Sequence, residues 1–223
     1  MKKYRIGIDV GGTFTDAVAV DNDTFELIGS VKIPTTHNAE EGVAAGIVQV
    51  LHKLMDEYQI APEDVIFIAH GTTQATTALL EGDVARVGII TLGSGIEGRK
   101  AKSDTVMGDI PLAAGKMLKS DNAFVNTGDM SNFSQNVKNA VQELKAQGAE
   151  SLVVTEAFSV DDPTNENAAI KICMEEQLPT TAGNDVSKLY GLKVRTRTAV
   201  INASILPKML EAANMTEQSN INA

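Results

Sequence analysis

The stretch that most limits what this chain can fold into is Asp9-Val10-Gly11-Gly12-Thr13-Phe14-Thr15-Asp16. It lies between two apolar runs, residues 4–10 and 17–20, so the backbone must leave one strand, turn through Gly-Gly-Thr and enter another. Gly11 and Gly12 carry no Cβ, so both can take positive φ and bring their amides close to an anion. Thr13 and Thr15 add hydroxyl donors. Asp9 and Asp16 bracket the loop with carboxylates, which repel a bare phosphate but hold Mg2+ and its waters. Neutral donors between two carboxylates point to a metal-bound polyphosphate. A tight glycine hairpin with solvated flanks is the plainer alternative.

Periodicity extends the pattern. Asp21-Asn22-Asp23 supplies a turn into a third strand, residues 25–33, which makes an antiparallel meander. Residues 39–58 predict a helix with Val43, Ile47, Val50, Leu51, Leu54 and Tyr58 on one face. Asn38 would be its N-cap, with Glu40 and Glu41 in the first turn. A strand over 65–69, a helix over 73–81 stopped by Gly82, and a strand over 85–92 follow. Residues 93–122 hold five glycines and no steady period, so they predict a loop-rich insertion. Order returns with a helix over 135–147, a strand over 151–155, a helix opening at Pro163, a short strand over 194–198, and a helix over 198–213 bent at Pro207. The polar tail 214–223 is expected to fray. The expected division is 1–92 as a phosphate-binding core, 93–213 as the insertion and a further α/β segment, and 214–223 as tail.

Charge narrows the partners. The formal net charge is −10 with no basic cluster, which argues against nucleic acid and against an anionic membrane. No apolar run approaches the ~20 residues that span a bilayer, and Gly7, Asp9 and Gly11 interrupt any signal-peptide core. The expected location is cytoplasmic. Cys173 is the single cysteine, inside an apolar helical pattern, and reads as a buried structural thiol. His37, His52 and His70 show no metal-ligand spacing.

Two segments invite a ligand. Gly93-Ser94-Gly95-Ile96-Glu97-Gly98 follows a predicted strand and matches Gly-x-Gly-x-x-Gly, but residues 99–109 show no amphipathic helix to present its amides to a pyrophosphate, so a glycine-rich surface loop is expected. His70-Gly71-Thr72-Thr73 ends a buried strand, where α/β proteins gather polar donors. Gly71 permits close approach, Thr72 and Thr73 offer hydroxyls and amides, and His70 could carry a proton. The plain alternative has Thr72 or Thr73 capping the next helix. Arg195 and Arg197 alternate with threonine, as on an exposed strand face.

The Asp9–Asp16 loop resembles the first phosphate loop of the actin, hexokinase and Hsp70 superfamily of ATPases. In its fuller form, IGIDVGGTFTDAV, it resembles the hydantoinase/oxoprolinase family. The segment from His70 to Gly82, the run 148–154, residues 158–166 and RTRTAVINASILP at 195–207 are similar to that family in the same order, most tightly over 4–92. The resemblance implies a ribonuclease H-like lobe in an α/β chain, its mixed sheet an antiparallel three-strand meander plus parallel strands, flanked by helices. It also implies ATP and Mg2+ as cofactors and a small cyclic amide as substrate. The amide oxygen would accept a phosphoryl group and become a leaving group. Gly11, Gly12, Thr13, Phe14 and Thr15 would hold phosphates, with Gly71, Thr72 and Thr73 lining the cleft. Asp9 and Asp16 would position the metal, and Asp9, Asp16 and His70 would serve catalysis. Such ATPases clamp nucleotide between two lobes, and no second Asp-x-Gly-Gly-Thr occurs here. This chain alone is therefore expected to be incomplete, needing a C-terminal lobe or a second subunit. A sugar- or acetate-kinase-like lobe, a ketone carboxylase subunit and a non-catalytic assembly module are the alternatives.

Overall fold

The computed structural model describes residues 2–36, 39 and 42–221. Two compact units emerge, one of residues up to Thr77 with those from Lys208 onward, the other of Ala78–Pro207.

The first unit is built on β1 (Tyr4–Val10), β2 (Phe14–Asp21) and β3 (Leu27–Pro34), the predicted meander. Asp21 turns the chain between β2 and β3 by accepting the amides of Asp23 and Thr24 on Oδ1. Helix α1 (Val43–Tyr58) begins later than the expected residue 39. Its N-cap is Gly42 at φ 57°, and the proposed capping residues Asn38, Glu40 and Glu41 lie outside the described residues. Strand β4 (Val65–Thr72) pairs parallel with β1, giving the order β3-β2-β1-β4. Period-two alternation sends Ile6, Ile8 and Val10 of β1 and Ala17 and Ala19 of β2 beneath α1, against Ile47, Val50 and Leu54. Burying each such branched side chain contributes ~1.5–3 kcal/mol. β4 is an edge strand, and Ile66, Phe67 and Ile68 on it are each about half exposed. Helix α2 (Gln74–Glu81) follows and ends at Gly82, whose φ is 67°.

The second unit departs further from expectation. β5 (Val87–Gly93) belongs here: it pairs with β8 (Ser120–Asn126) and β9 (Ser151–Glu156), and not with the meander, although the expected core of 1–92 includes it. The segment expected to be loops holds α3 (Gly95–Asp104), a small hairpin of β6 (Ile110–Pro111) and β7 (Met117–Leu118), and β8 (Ser120–Asn126). Helix α3 leaves no apolar stripe in the sequence because the residues it buries are the small Gly98 and Ala101. Gly98 is where α3 crosses β5: a Cβ there would lie 2.7 Å from the carbonyl carbon of Gly93. Then come α4 (Phe133–Ala146), β9 (Ser151–Glu156), α5 (Thr164–Glu175), β10 (Thr180–Ala182), the single turn α6 (Gly183–Val186) and α7 (Leu192–Ile221). The sheet order is β10-β9-β5-β8, every pairing parallel. Helices α4 and α5 cover one face through Val137, Val141, Leu144, Ala169 and Cys173. Ile110, Leu118, Ala199, Val200 and Ala203 cover the other. Cys173 is fully buried, and burial pushes its thiol up to about 12.

Residues 194–198 are the opening of α7 rather than a strand, and α7 reaches Ile221 through the segment expected to fray. Leu192, Arg195, Thr196, Ala199, Val200 and Ala203 are buried at helical spacing. Arg195 is therefore interior, whereas Arg197 is exposed.

Candidate functional site

The Gly-Gly-Thr turn joins β1 to β2 as a three-residue hairpin closed by the Gly11 amide donating to the Phe14 carbonyl at 2.9 Å. Neither glycine uses the positive φ that the sequence allowed. Gly11 is needed for space instead, since a Cβ on it would sit 3.0 Å from the Phe14 oxygen, whereas a Cβ on Gly12 would meet nothing within 4 Å.

Thr15 is fully buried on the α1 face, so its hydroxyl is not presented at the loop surface. It lies 3.2 Å from Thr35 Oγ1, which itself donates to the Gly11 carbonyl at 2.8 Å. The Thr35 amide also donates to the Thr13 carbonyl at 3.0 Å. Thr35 thus grips the hairpin from β3's exit, a role that sequence reasoning missed. Its only sequence signal is the Thr-Thr pair placed directly after a strand.

The ladder places Asp9 opposite Asp16, and Asp16 opposite Lys32 on β3. Directly opposed Cβ atoms stand ~4.5–5.5 Å apart, so the two carboxylates share the sheet face away from α1. Lys32 Nζ lies 3.1 Å from Asp16 Oδ1 and 5.1 Å from the centre of the exposed Phe14 ring. In the parallel β1–β4 register Asp9 sits beside Gly71. A Cβ on Gly71 would lie 4.0 Å from Asp9 Oδ1, so the missing side chain leaves room around that carboxylate.

His70 pairs with Ile8, which points towards α1, so its side chain belongs to the opposite sheet face from Asp9 and Asp16. The structure does not bring the histidine to the carboxylates. Thr72 and Thr73 do meet the loop: Thr72 Oγ1 and the Thr73 amide each reach the Val10 carbonyl at 3.2 Å. Thr72 also caps α2, accepting the Gln74 amide at 3.1 Å. Phe14, Thr13 and Gly12 are exposed at the tip.

No cluster of three or more His, Cys, Asp or Glu side chains suited to a metal occurs among the described residues. Mg2+ does not require one. It commonly takes one or two carboxylates and completes its octahedron with water and substrate phosphate. Asp9 and Asp16, side by side over the space left by Gly71, fit that use.

Comparison with known proteins adds a lineage to this geometry. The profile of the hydantoinase/oxoprolinase N-terminal region matches residues 5–177. The chain belongs to this family. Two curated relatives are similar over nearly its whole length. The caprolactamase subunit alpha of Pseudomonas jessenii is 26% identical over 93% of this chain and 32% of its own. The acetophenone carboxylase gamma subunit of Aromatoleum aromaticum is 24% identical over 92% of this chain and 31% of its own. The chain therefore spans about a third of the length of these relatives. Among solved structures, a nucleotide-free acetone carboxylase superposes with a TM-score of 0.65 at 17% identity, covering 98% of this chain and 35% of that one. The ATP-dependent caprolactamase of P. jessenii superposes at 0.58 and 22% identity, covering 92% and 32%. At these identities the superpositions establish a shared fold, the mixed α/β architecture with one mixed and one parallel sheet.

Proposed function

We propose that this chain is the N-terminal portion of an ATP-dependent enzyme that opens the amide bond of a small cyclic imide or lactam. The observation that carries the proposal is the cross-strand pair Asp9 and Asp16, set beside Gly71 at the foot of a glycine hairpin. Bound Mg-ATP would supply a phosphoryl group that turns an inert amide oxygen into a leaving group. The chain's own residues contribute position and charge. Asp9 and Asp16 would hold Mg2+ through its waters, with Lys32 yielding its contact with Asp16. Gly12 and Thr13 would face the phosphates from the tip. Thr35, Thr15, Thr72 and Thr73 keep the hairpin in one geometry through their bonds to backbone and to each other. Kinship to a caprolactamase subunit supports the lactam substrate class. Kinship to a ketone carboxylase subunit supports a second reading, in which the activated oxygen is that of a ketone.

Calorimetric titration with Mg-ATP tests the site, run beside an Asp9→Ala, Asp16→Ala double variant. Binding by the wild type that the folded variant loses is the expected result. Equal binding by both, or none by the wild type at millimolar nucleotide, removes the hairpin from the proposal. Ring-opened product against carboxylated product, assayed with the remainder of the enzyme present, separates the two substrate classes.

A further inference from the structure

The second unit contains a cleft that the phosphate hairpin does not use. In its parallel sheet the chain leaves β5 towards β8 on one side, and leaves β9 towards β10 on the other. The neighbouring strands β5 and β9 therefore form a switch point, and open α/β sheets bind ligands in the crevice beyond the carboxyl ends of such a pair. A cleft of about 310 Å³ is lined by the segments expected there: α3, which follows β5; Ala157 and Phe158, which follow β9; and 190–194, the entry to α7. That volume is at the small end of the range for ligand sites.

The walls are fixed by one buried side chain. Arg195 is fully buried and lies just inside α7. Its Nη2 donates to the Glu156 carbonyl at 2.6 Å and reaches Ser159 Oγ at 3.3 Å. Its Nη1 donates to the Leu189 carbonyl and reaches that of Tyr190 at 3.4 Å. One guanidinium thus ties the segment after β9 to the segment before α7, the two walls facing α3. Burial lowers its pKa, opposed by the charge of Glu166. Phe158 is held at φ 63°, a conformation that bulky residues avoid, and is exposed. Tyr190, also exposed, donates its hydroxyl to Asp161 Oδ1 at 2.7 Å.

The charges in the cleft have a simple pattern. On α3, Lys100 is paired with Asp104 one turn on and also feels the charge of Glu97, so these three side chains leave that wall with one net negative charge. Among the described residues that line the facing wall, Lys193, in the first turn of α7, carries the charge. Phe158, Ala157, Leu192 and Val194 supply apolar surface in the same cleft. Among the described residues, a wall of net negative charge, a facing lysine and an apolar floor complement a molecule that carries both charges on a hydrocarbon body.

We propose that this cleft binds a small zwitterion, an amino acid whose carboxylate meets Lys193, whose ammonium meets Glu97, and whose carbon chain lies over Phe158 and Val194. Ring opening of a lactam yields such a molecule, so the cleft would recognise product; that link alone rests on the function proposed above. Neither hexanoate nor hexylamine can satisfy both walls.

The test is a titration of the folded full chain, without nucleotide, with L-leucine and with 6-aminohexanoate, followed by amide resonances. Hexanoate and hexylamine serve as single-charge controls. Shifts confined to 157–158 and 190–194 and to the Glu97 side of α3 are expected. The controls and the variants Lys193→Gln and Glu97→Gln should each bind roughly tenfold more weakly, as the loss of one charge-assisted contact implies. Both substituted side chains are exposed, so thermal melting should be unchanged. Absence of shifts up to the solubility limit of both zwitterions overturns the proposal, as does equal binding of the controls. Because no nucleotide is present, a silent hairpin leaves this result standing, and a silent cleft leaves the hairpin standing.

Discussion

Asp9 and Asp16 oppose each other across the β1–β2 ladder, with Lys32 reaching the second of them. Like charges placed directly opposite weaken a strand pair, so the hairpin carries a local cost that a purely structural turn would not retain. Asp9→Asn should therefore raise stability by ~0.2–1 kcal/mol, visible as a higher melting temperature, while abolishing Mg-ATP binding. A lower melting temperature would show that Asp9 serves the fold. Glu156, at the carboxyl end of β9, has its pKa raised chiefly by burial, against the Asn165 hydrogen bond, with Glu166 and Asp162 adding to the rise. A raised folded pKa means that the stabilising contribution is complete below the ordinary value near 4.5 and is lost as pH climbs through the folded value. Glu156→Gln keeps the oxygen that accepts from Asn165, so it should be more stable than wild type at pH 7. Urea titrations at pH 7 and pH 4 should show that advantage shrinking in acid. At this scale the meeting of Asp9 with Asp16 was legible, because a short hairpin sets its two strands in register. Arg195 was not, because Arg-Thr-Arg-Thr reads as strand alternation unless Leu192, Ala199, Val200 and Ala203 are counted with it. The sheet face that His70 takes was hidden for a different reason, since it depends on register with a strand far away in sequence.

Among the elements, those with a contiguous apolar face were readable from the sequence and those built on small residues were not. The meander, α1, α4 and β9 carry Val, Ile and Leu at the proper period. Helix α3 is pressed onto β5 by the absence of side chains, with Gly93 and Gly98 backbone to backbone. The Gly-x-Gly-x-x-Gly segment therefore does open a helix, and its last glycine is accounted for by that contact. Gly98→Ala should force α3 off the strand, costing on the order of 1–3 kcal/mol, as overpacking does, against a gain in helix propensity of under ~1 kcal/mol. Loss of amide protection in α3 is the readout; an unchanged or more stable protein would mean that the crossing can widen without cost. Strand β4 ran three residues beyond its apolar stretch because its pairing with β1 continues to Val10 and Thr72. Apolarity marks where a strand is buried, and hydrogen bonding marks where it ends.

The whole molecule has separate cores. Ile6, Val10, Val50 and Leu54 form one under the meander, whereas Leu92, Val141, Leu144 and Leu152 form another on the parallel sheet. Leu54 is fully buried, and Leu54→Ala should cost ~2–5 kcal/mol. Hydrogen exchange should report that loss in β1, β2, β3 and α1. Leu144→Ala should do the same for β5, β8 and α4. The position of β5 in the second sheet was beyond reach of the sequence, because a buried parallel strand looks alike whichever sheet accepts it.

Among the described residues, strand β4 has one hydrogen-bonded neighbour, β1, and half-exposed Ile66, Phe67 and Ile68 on its flanks. Such a border has the properties of a growth front: its outward amides and carbonyls match any extended backbone, and its side chains welcome a dry one. Concentrated solutions of this chain should thicken into assemblies from that line outward. Phe67→Lys, which plants a charge on it, should hold the chain dispersed in light scattering at concentrations where the wild type has already gathered.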